Sequence, residues 1–183
     1  MLASRSQLRM SFLRIALFTV PATVLLGSLS GVLSNSGYGN AWFDGLEKPS
    51  FMPPSWAFPV AWTTLYIFLG LALAMIVHAR AAVRRGAILG LFLLHLALYY
   101  AWSPAFFGLH QVGIALGLIA AMILLTLILI PMLWRVRKAA ALLMLPYLAW
   151  LCFAGALTWR IMADNPDASA LAPAGSSTDI ALD

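Results

Sequence analysis

The stretch AFPVAWTTLYIFLGLALAMIV, Ala57 to Val77, carries no charged side chain and is long enough to cross the ~30 Å hydrocarbon core of a bilayer, which takes about 20 helical residues. In lipid every backbone N–H and C=O needs a partner within the protein, so a run of this kind reads as a membrane helix. Working outward from it, comparable runs cover about 15–33, 87–107, 112–133 and 139–162. A membrane barrel would instead alternate apolar and polar residues in segments of about ten. Composition agrees: 63% of the 183 residues are hydrophobic, 9% are charged and the mean hydropathy is +0.93, against about 25% charged in soluble domains. The predicted fold is all-α, an integral membrane bundle of five transmembrane helices. Residues 1–14 read as a basic N-terminus, 15–163 as the membrane domain with a long loop at 34–56, and 164–183 as a disordered acidic tail with no apolar helical face. The first run is long and is followed by four more spans, so it reads as a helix rather than a cleaved signal peptide.

The formal net charge is +5, and the placement of the charges decides what it means. Arg5, Arg9 and Arg14 precede span 1, Arg80, Arg84 and Arg85 follow span 2, and Arg135, Arg137 and Lys138 follow span 4. All three clusters fall at one end of an up-and-down bundle, and only Lys48 and Arg160 fall at the other. The positive-inside rule then predicts, for a multi-pass membrane protein, a cytoplasmic N-terminus and an outside C-terminus. The basic balance reads as contact with membrane lipid, not with nucleic acid. The single cysteine, Cys152, allows no disulfide framework.

GxxxG spacing occurs at Gly27 and Gly31, Gly86 and Gly90, and Gly113 and Gly117. Such pairs let helix backbones approach closely in lipid, and packing within one chain is the ordinary reading of each. In span 3 the helical period places Gly86, Gly90, Ala97 and Ala101 on one face and His95, Tyr99, Trp102 and Phe106 on the other. The small face suits a second helix, including that of a homodimer partner. Span 2 repeats an aromatic at Phe58, Trp62 and Tyr66, and span 5 places Tyr147, Trp150, Ala154 and Thr158 on one broad face. If the three stripes converge, they wall a pocket for a flat apolar ligand of macrocycle size. The competing reading is an aromatic belt at the membrane surface, which fits Trp42, Trp56 and Trp134 at span ends. His95, the one ionisable group deep inside a span, reads either as an axial haem ligand or as a neutral histidine bonded to a neighbouring helix, the latter being the more ordinary. No spacing of His, Cys or carboxylates suggests a metal site, and no Ser, His and Asp set for hydrolysis assembles in the membrane. The spans show no inverted repeat of the kind many transporters carry.

The loop before span 2 then becomes informative. WFDGLEKPSFMPPSWAFPVAWTTLY, Trp42 to Tyr66, resembles the signature of the tryptophan-rich sensory protein and translocator protein family, TspO/MBR. AWSPAFFG (Ala101–Gly108), LPYLAW (Leu145–Trp150) and the following FAGALTW, with Asp164 and Asn165, are similar to further motifs of that family. The resemblance implies a five-helix bundle of the translocator protein type, commonly dimeric, with a ligand cavity roofed by the first loop. Pro49, Pro53 and Pro54 would stiffen that lid, since proline fixes φ. Carried over by position, the resemblance implies that Trp62 and Trp150 contact porphyrin and, if the protein is an enzyme, act in light- and oxygen-dependent porphyrin breakdown. It also implies ligand contacts at Trp42, Phe43, Tyr66, Trp102, Ala154 and Leu157, to which the aromatic stripes add Phe58, Tyr99 and Tyr147 as expected ligand-binding residues; the small face of span 3, Gly86, Gly90, Ala97 and Ala101, is the expected dimer interface, in keeping with the dimers of the family. Porphyrin or haem is the expected ligand, with sterol or synthetic benzodiazepine-type compounds as further candidates and no required cofactor. A sensor or translocator of tetrapyrroles is the leading reading; a porphyrin-degrading enzyme and a sterol- or lipid-binding scaffold are the alternatives. The chain departs from the family pattern at Phe43 for tyrosine, at Tyr99 and Thr158 for asparagines, and at Trp159 for the tyrosine of the animal sterol motif.

Overall fold

The computed structural model describes residues 4–171. Five long helices, each long and apolar enough to cross a membrane, run up and down: α1 (Arg5–Leu33), α3 (Ala57–His78), α4 (Arg85–Ser103), α5 (Val112–Val136) and α6 (Lys138–Asp164). A short helix, α2 (Ala41–Gly45), lies in the loop after α1. The main packing pairs are α1 with α3, α5 with α6, α4 with α5 and α3 with α6. Core residues at zero exposure include Leu69 and Ala72 of α3, Phe92 of α4, Leu129 and Leu133 of α5, and Met144 and Tyr147 of α6. The protein is a multi-pass, all-helical membrane protein.

Several local features differ from the sequence reading. Helix α1 begins ten residues before the expected span, because Ser4 and Gln7 form a capping box: Gln7 N–H donates to Ser4 Oγ at 3.3 Å, and Ser4 N–H to Gln7 Oε1 at 2.9 Å. The basic N-terminal segment is therefore a helical extension from Arg5 onward. Of the GxxxG pairs, only Gly27 packs tightly on another helix, where an added Cβ would meet the Tyr66 ring; Gly86, Gly90, Gly113 and Gly117 have open space around them. The closest backbone approach is instead at Gly70 of α3, where a Cβ would lie 2.6 Å from Val20 Cα. Two threonines of α1 bond across this contact: Thr19 Oγ1 donates to Gly70 O at 2.8 Å, and Thr23 Oγ1 lies 3.0 Å from Tyr66 O. One glycine with two hydroxyls thus does what a GxxxG pair was expected to do.

The turn between α3 and α4 is fastened by Arg85, whose Nε and Nη2 donate to Ile76 O (3.1 Å) and Val77 O (3.0 Å), satisfying carbonyls at the end of α3. At the other end of α4, Pro104 has no N–H for Tyr100 O, the carbonyl four residues back. Ser30 Oγ of α1 donates to that carbonyl at 2.7 Å. The chain then widens into one π-helical turn, Pro104–Gly108, with Leu109 N–H on Pro104 O at 2.8 Å.

The first residues of the expected disordered tail are instead packed. Residues 165–171 turn back onto the loop after α1, and Ala168 is 3% exposed. The physical reason is polar satisfaction rather than an apolar face: the asparagine and backbone carbonyl described below close hydrogen bonds with the loop. Residues 172–183 of that tail lie outside the described residues.

Candidate functional site: an aromatic cavity under the lid

The aromatic stripes of α3, α4 and α6 lie at the end of the bundle opposite the basic clusters. On α3 the four-residue steps from Phe58 to Trp62 to Tyr66 hold one face. On α4, Tyr99, Trp102 and Ser103 turn inward, and the π turn adds Phe106 and Phe107, 2% and 8% exposed. On α6, Trp150, Phe153, Ala154, Leu157, Thr158 and Ile161 complete the ring. These faces meet around a cavity of about 390 Å³, also lined by Ser30 and Gly31 of α1 and roofed by Ser36, Gly37, Tyr38, Phe43, Met52 and Ser55 of the lid. That volume lies within the range of small-molecule sites, about 300–1,000 Å³.

The walls are rings in contact. Trp62 lies 5.8 Å from Trp150 at 82°, 5.9 Å from Trp102 at 39° and 5.5 Å from Tyr99, centroid to centroid. Trp102 stacks on Phe106 at 5.4 Å and 14°. No lining residue carries a formal charge. Polar capacity is nevertheless present: the hydroxyls of Tyr99 and Tyr100 and the indole N–H groups of Trp102 and Trp150 are buried without a hydrogen-bond partner. The Ser36 and Ser103 hydroxyls bond to each other beside them. Since buried polar groups are nearly always paired, these four orphans on residues around one cavity are hydrogen-bonding capacity that the described residues leave unused.

The lid is held by a small set of bonds. Asn40 caps α2 through its Oδ1 to Phe43 N–H (3.1 Å) and donates from Nδ2 to Asn35 O (3.0 Å). Lys48 Nζ donates to Asp44 O and Leu46 O and lies 4.9 Å over the Phe43 ring. Asn165, just beyond α6, pairs with the lid in both directions: Glu47 N–H donates to its Oδ1 at 2.8 Å, and its Nδ2 donates to Glu47 O at 3.0 Å. Trp42 Nε1 donates to Ala168 O at 2.7 Å.

Of the sequence-predicted ligand set, Phe43, Phe58, Trp62, Tyr66, Tyr99, Trp102, Trp150, Ala154 and Leu157 line the cavity. Trp42 and Tyr147 do not, and both expectations are corrected. Trp42 is 3% exposed, stacked on His110 at 4.4 Å and bonded to Ala168, so it is neither a cavity wall nor a surface-belt residue; it is the lid's anchor. Tyr147 is fully buried one layer behind, edge-on to Tyr99 at 6.0 Å and to His95 at 5.2 Å. His95 likewise lies outside the cavity with zero exposure, which removes the axial-ligand reading. Thr126 Oγ1 donates to Met122 O at 2.7 Å, so at 3.2 Å from His95 Nε2 it acts as the acceptor. That is the bond to a neighbouring helix. The sequence reading missed Tyr100 and the hydroxyls of Ser30, Ser36 and Ser103; their signal was small hydroxyls near the ends of two apolar runs.

The TspO/MBR family pattern matches residues 19–163. The chain is 41% identical over 161 residues to the translocator protein of Bos taurus, covering 80% of this chain and 90% of that one. It is 37% identical over 128 residues to Protein CrtK of Rhodobacter capsulatus, covering 69% and 79%, and 40% identical over 130 residues to the tryptophan-rich protein TspO of Chlorobaculum tepidum, covering 68% and 80%. The matched region holds every long helix except the start of α1, together with the lid and its cavity, and the chain belongs to the TspO/MBR family.

Proposed function

We propose that this protein binds a tetrapyrrole, porphyrin or haem, in the cavity under the lid and serves as a sensor or translocator for it. The observation that carries the reading is the cavity itself: an uncharged, aromatic-walled space in which four buried polar groups have no partner. Ring faces offer stacking area to a flat macrocycle, and the unpaired indole and phenol groups offer hydrogen bonds to polar atoms on its edge. The ionised edge groups of such a ligand would stay at the open side, because no cation lines the interior. Sterol or benzodiazepine-type compounds would compete for the same walls.

A second reading, light- and oxygen-dependent porphyrin degradation, is favoured by one feature. Three oxidisable indoles line the space the macrocycle would fill, with Trp102 and Trp150 lying 5.9 Å and 5.8 Å from Trp62. Titration of the purified protein with protoporphyrin, in the dark and then under light with oxygen, separates the readings. Saturable binding with an unchanged spectrum under light supports a receptor or carrier; loss of porphyrin absorbance with a new product band supports the enzyme. Sterol retention without porphyrin binding would leave the scaffold reading and refute both.

From the charge distribution the proposal places the basic end of the bundle in the cytoplasm and the lid outside; the likeness to bacterial relatives supports a bacterial-type cell membrane. It also assigns homodimerisation to the face of α4 formed by Gly86, Gly90, Ala97 and Ala101, all four of which are exposed on the single chain.

A further inference from the structure

A second concavity lies at the basic end, far from the lid. It is a groove of about 940 Å³ between the α3–α4 turn, the start of α4 and the last third of α5, lined by Val83, Arg84, Ile88, Leu127, Ile128, Pro131 and Arg135 among others. Its floor and sides are hydrocarbon: Ile88 is 2% exposed, while Leu127 and Ile128 are about half exposed. At 1.5 Å rise per residue, Leu127 lies about 12 Å along α5 from Arg135, so the groove runs from headgroup level into acyl-chain level. Trp134, 46% exposed with Lys138 Nζ 5.8 Å over its ring, marks the interfacial level beside Arg135.

The two guanidiniums at the mouth are free for a guest. Arg85, next to Arg84, spends its donors on the carbonyls of Ile76 and Val77; among the described residues neither Arg84 nor Arg135 meets an acceptor. The acidic residues that are described, Asp44, Glu47, Asp164 and Asp167, are all in the lid or at and beyond the far end of α6. The mouth is therefore cationic with no internal counter-charge, and guanidinium forks match the geometry of phosphate oxygens. Ile88 lies on the side of α4 away from Gly86 and Gly90, so a guest here leaves the small-residue face open.

We propose that this groove is a binding site for an anionic phospholipid of the leaflet at the basic end, with Arg84 and Arg135 on the headgroup phosphate and an acyl chain along Leu127, Ile128 and Pro131. The apolar track selects a lipid over a free anion, and two arginines with no described carboxylate beside them repel the ammonium that a zwitterionic headgroup carries next to the same phosphate, which favours an anionic lipid. The site is independent of the lid cavity and of its ligand.

The test is native mass spectrometry of the full chain released from micelles containing equal amounts of phosphatidylglycerol and phosphatidylcholine. The protein should retain phosphatidylglycerol preferentially, and Arg84→Gln with Arg135→Gln should reduce that preference about thirtyfold, given the usual contribution of each basic residue near an anionic surface. Arg9→Gln with Arg14→Gln, removing the same charge from α1, should leave it intact. Arg84→Lys with Arg135→Lys should recover most of it, which separates lost charge from lost fold. Ile128→Trp, which fills the acyl track with both arginines in place, should also lose the lipid. Equal losses in the α1 and groove variants, or full retention in Ile128→Trp, would overturn the site in favour of a general basic surface. Displacement of the lipid by millimolar inorganic phosphate would overturn it in favour of a simple anion site.

Discussion

Each tryptophan in this chain owes its role to where its helix puts it, and the predictions at residue scale follow from those places. Trp150 faces the cavity with its N–H unpaired. Trp150→Phe keeps a ring and loses the donor, so porphyrin affinity should fall by about fivefold, the worth of roughly 1 kcal/mol for one neutral hydrogen bond. Trp134, at the opposite end of the bundle, should tolerate phenylalanine with no change in affinity. A fluorescence titration of the two variants checks both, and equal effects would place the ligand elsewhere. The helical period made Trp62, Trp102 and Trp150 legible from sequence, since a 3.6-residue repeat fixes a face. It could not tell a wall from the layer behind it. Tyr147 shares the α6 face with Trp150 yet is screened by Tyr99, because depth is set by the neighbouring helices. Trp42 was misread for a different reason: its partner, Ala168, is 126 residues away, and the N–H to carbonyl bond that fixes the ring leaves no trace in local pattern.

At the scale of elements, the lid and the α1–α3 seam carry the sharpest expectations. The lid is tied to the end of α6 by the reciprocal Asn165–Glu47 pair. Asn165→Ala removes both bonds while leaving every wall residue in place. Ligand release should therefore quicken by about tenfold, for two part-exposed hydrogen bonds, with little change in the ligand's absorption spectrum. Stopped-flow exchange measures this; an unchanged release rate would mean that the lid does not gate the cavity. In the seam, Gly70→Ala sets a methyl 2.6 Å from the Val20 backbone, which cannot rotate aside, and should destabilise the fold by about 1–3 kcal/mol. Gly90→Ala, with open space around it, should leave monomer stability nearly unchanged. Thermal melts in detergent decide between them. The sequence pointed to GxxxG pairs because spacing is visible and contact is not; a lone glycine with two threonines across from it has no spacing signature. The same limit hid α2 inside a proline-rich loop. A five-residue helix buries too little to show a period.

For the whole molecule, five spans, their order and the segregation of charge were all readable from composition, because lipid leaves the backbone few other solutions. The ends of the spans were less so: α1 runs on to Arg5 through a capping box that hydropathy does not detect. The same charge segregation predicts that a reporter fused after Arg85 reads as cytoplasmic and one fused after Asp183 as outside; reversed signals would contradict the proposed orientation. The exposed small face of α4 predicts that Gly90→Leu with Ala97→Leu shifts detergent-solubilised protein toward monomer by blocking close approach, and an unchanged dimer fraction would move the interface. The central claim, that the space under the lid is where the macrocycle sits, is tested most directly by filling it. Ala154 lines the cavity on α6, and Ala154→Trp would fill it while leaving the residues that tie the lid, the groove at the basic end and the outward face of α4 unaltered in sequence. Dark titration with protoporphyrin, on protein whose helicity and melting temperature match the parent, should show saturable binding in the parent and its loss in Ala154→Trp. Undiminished saturable binding by the filled variant would contradict the account.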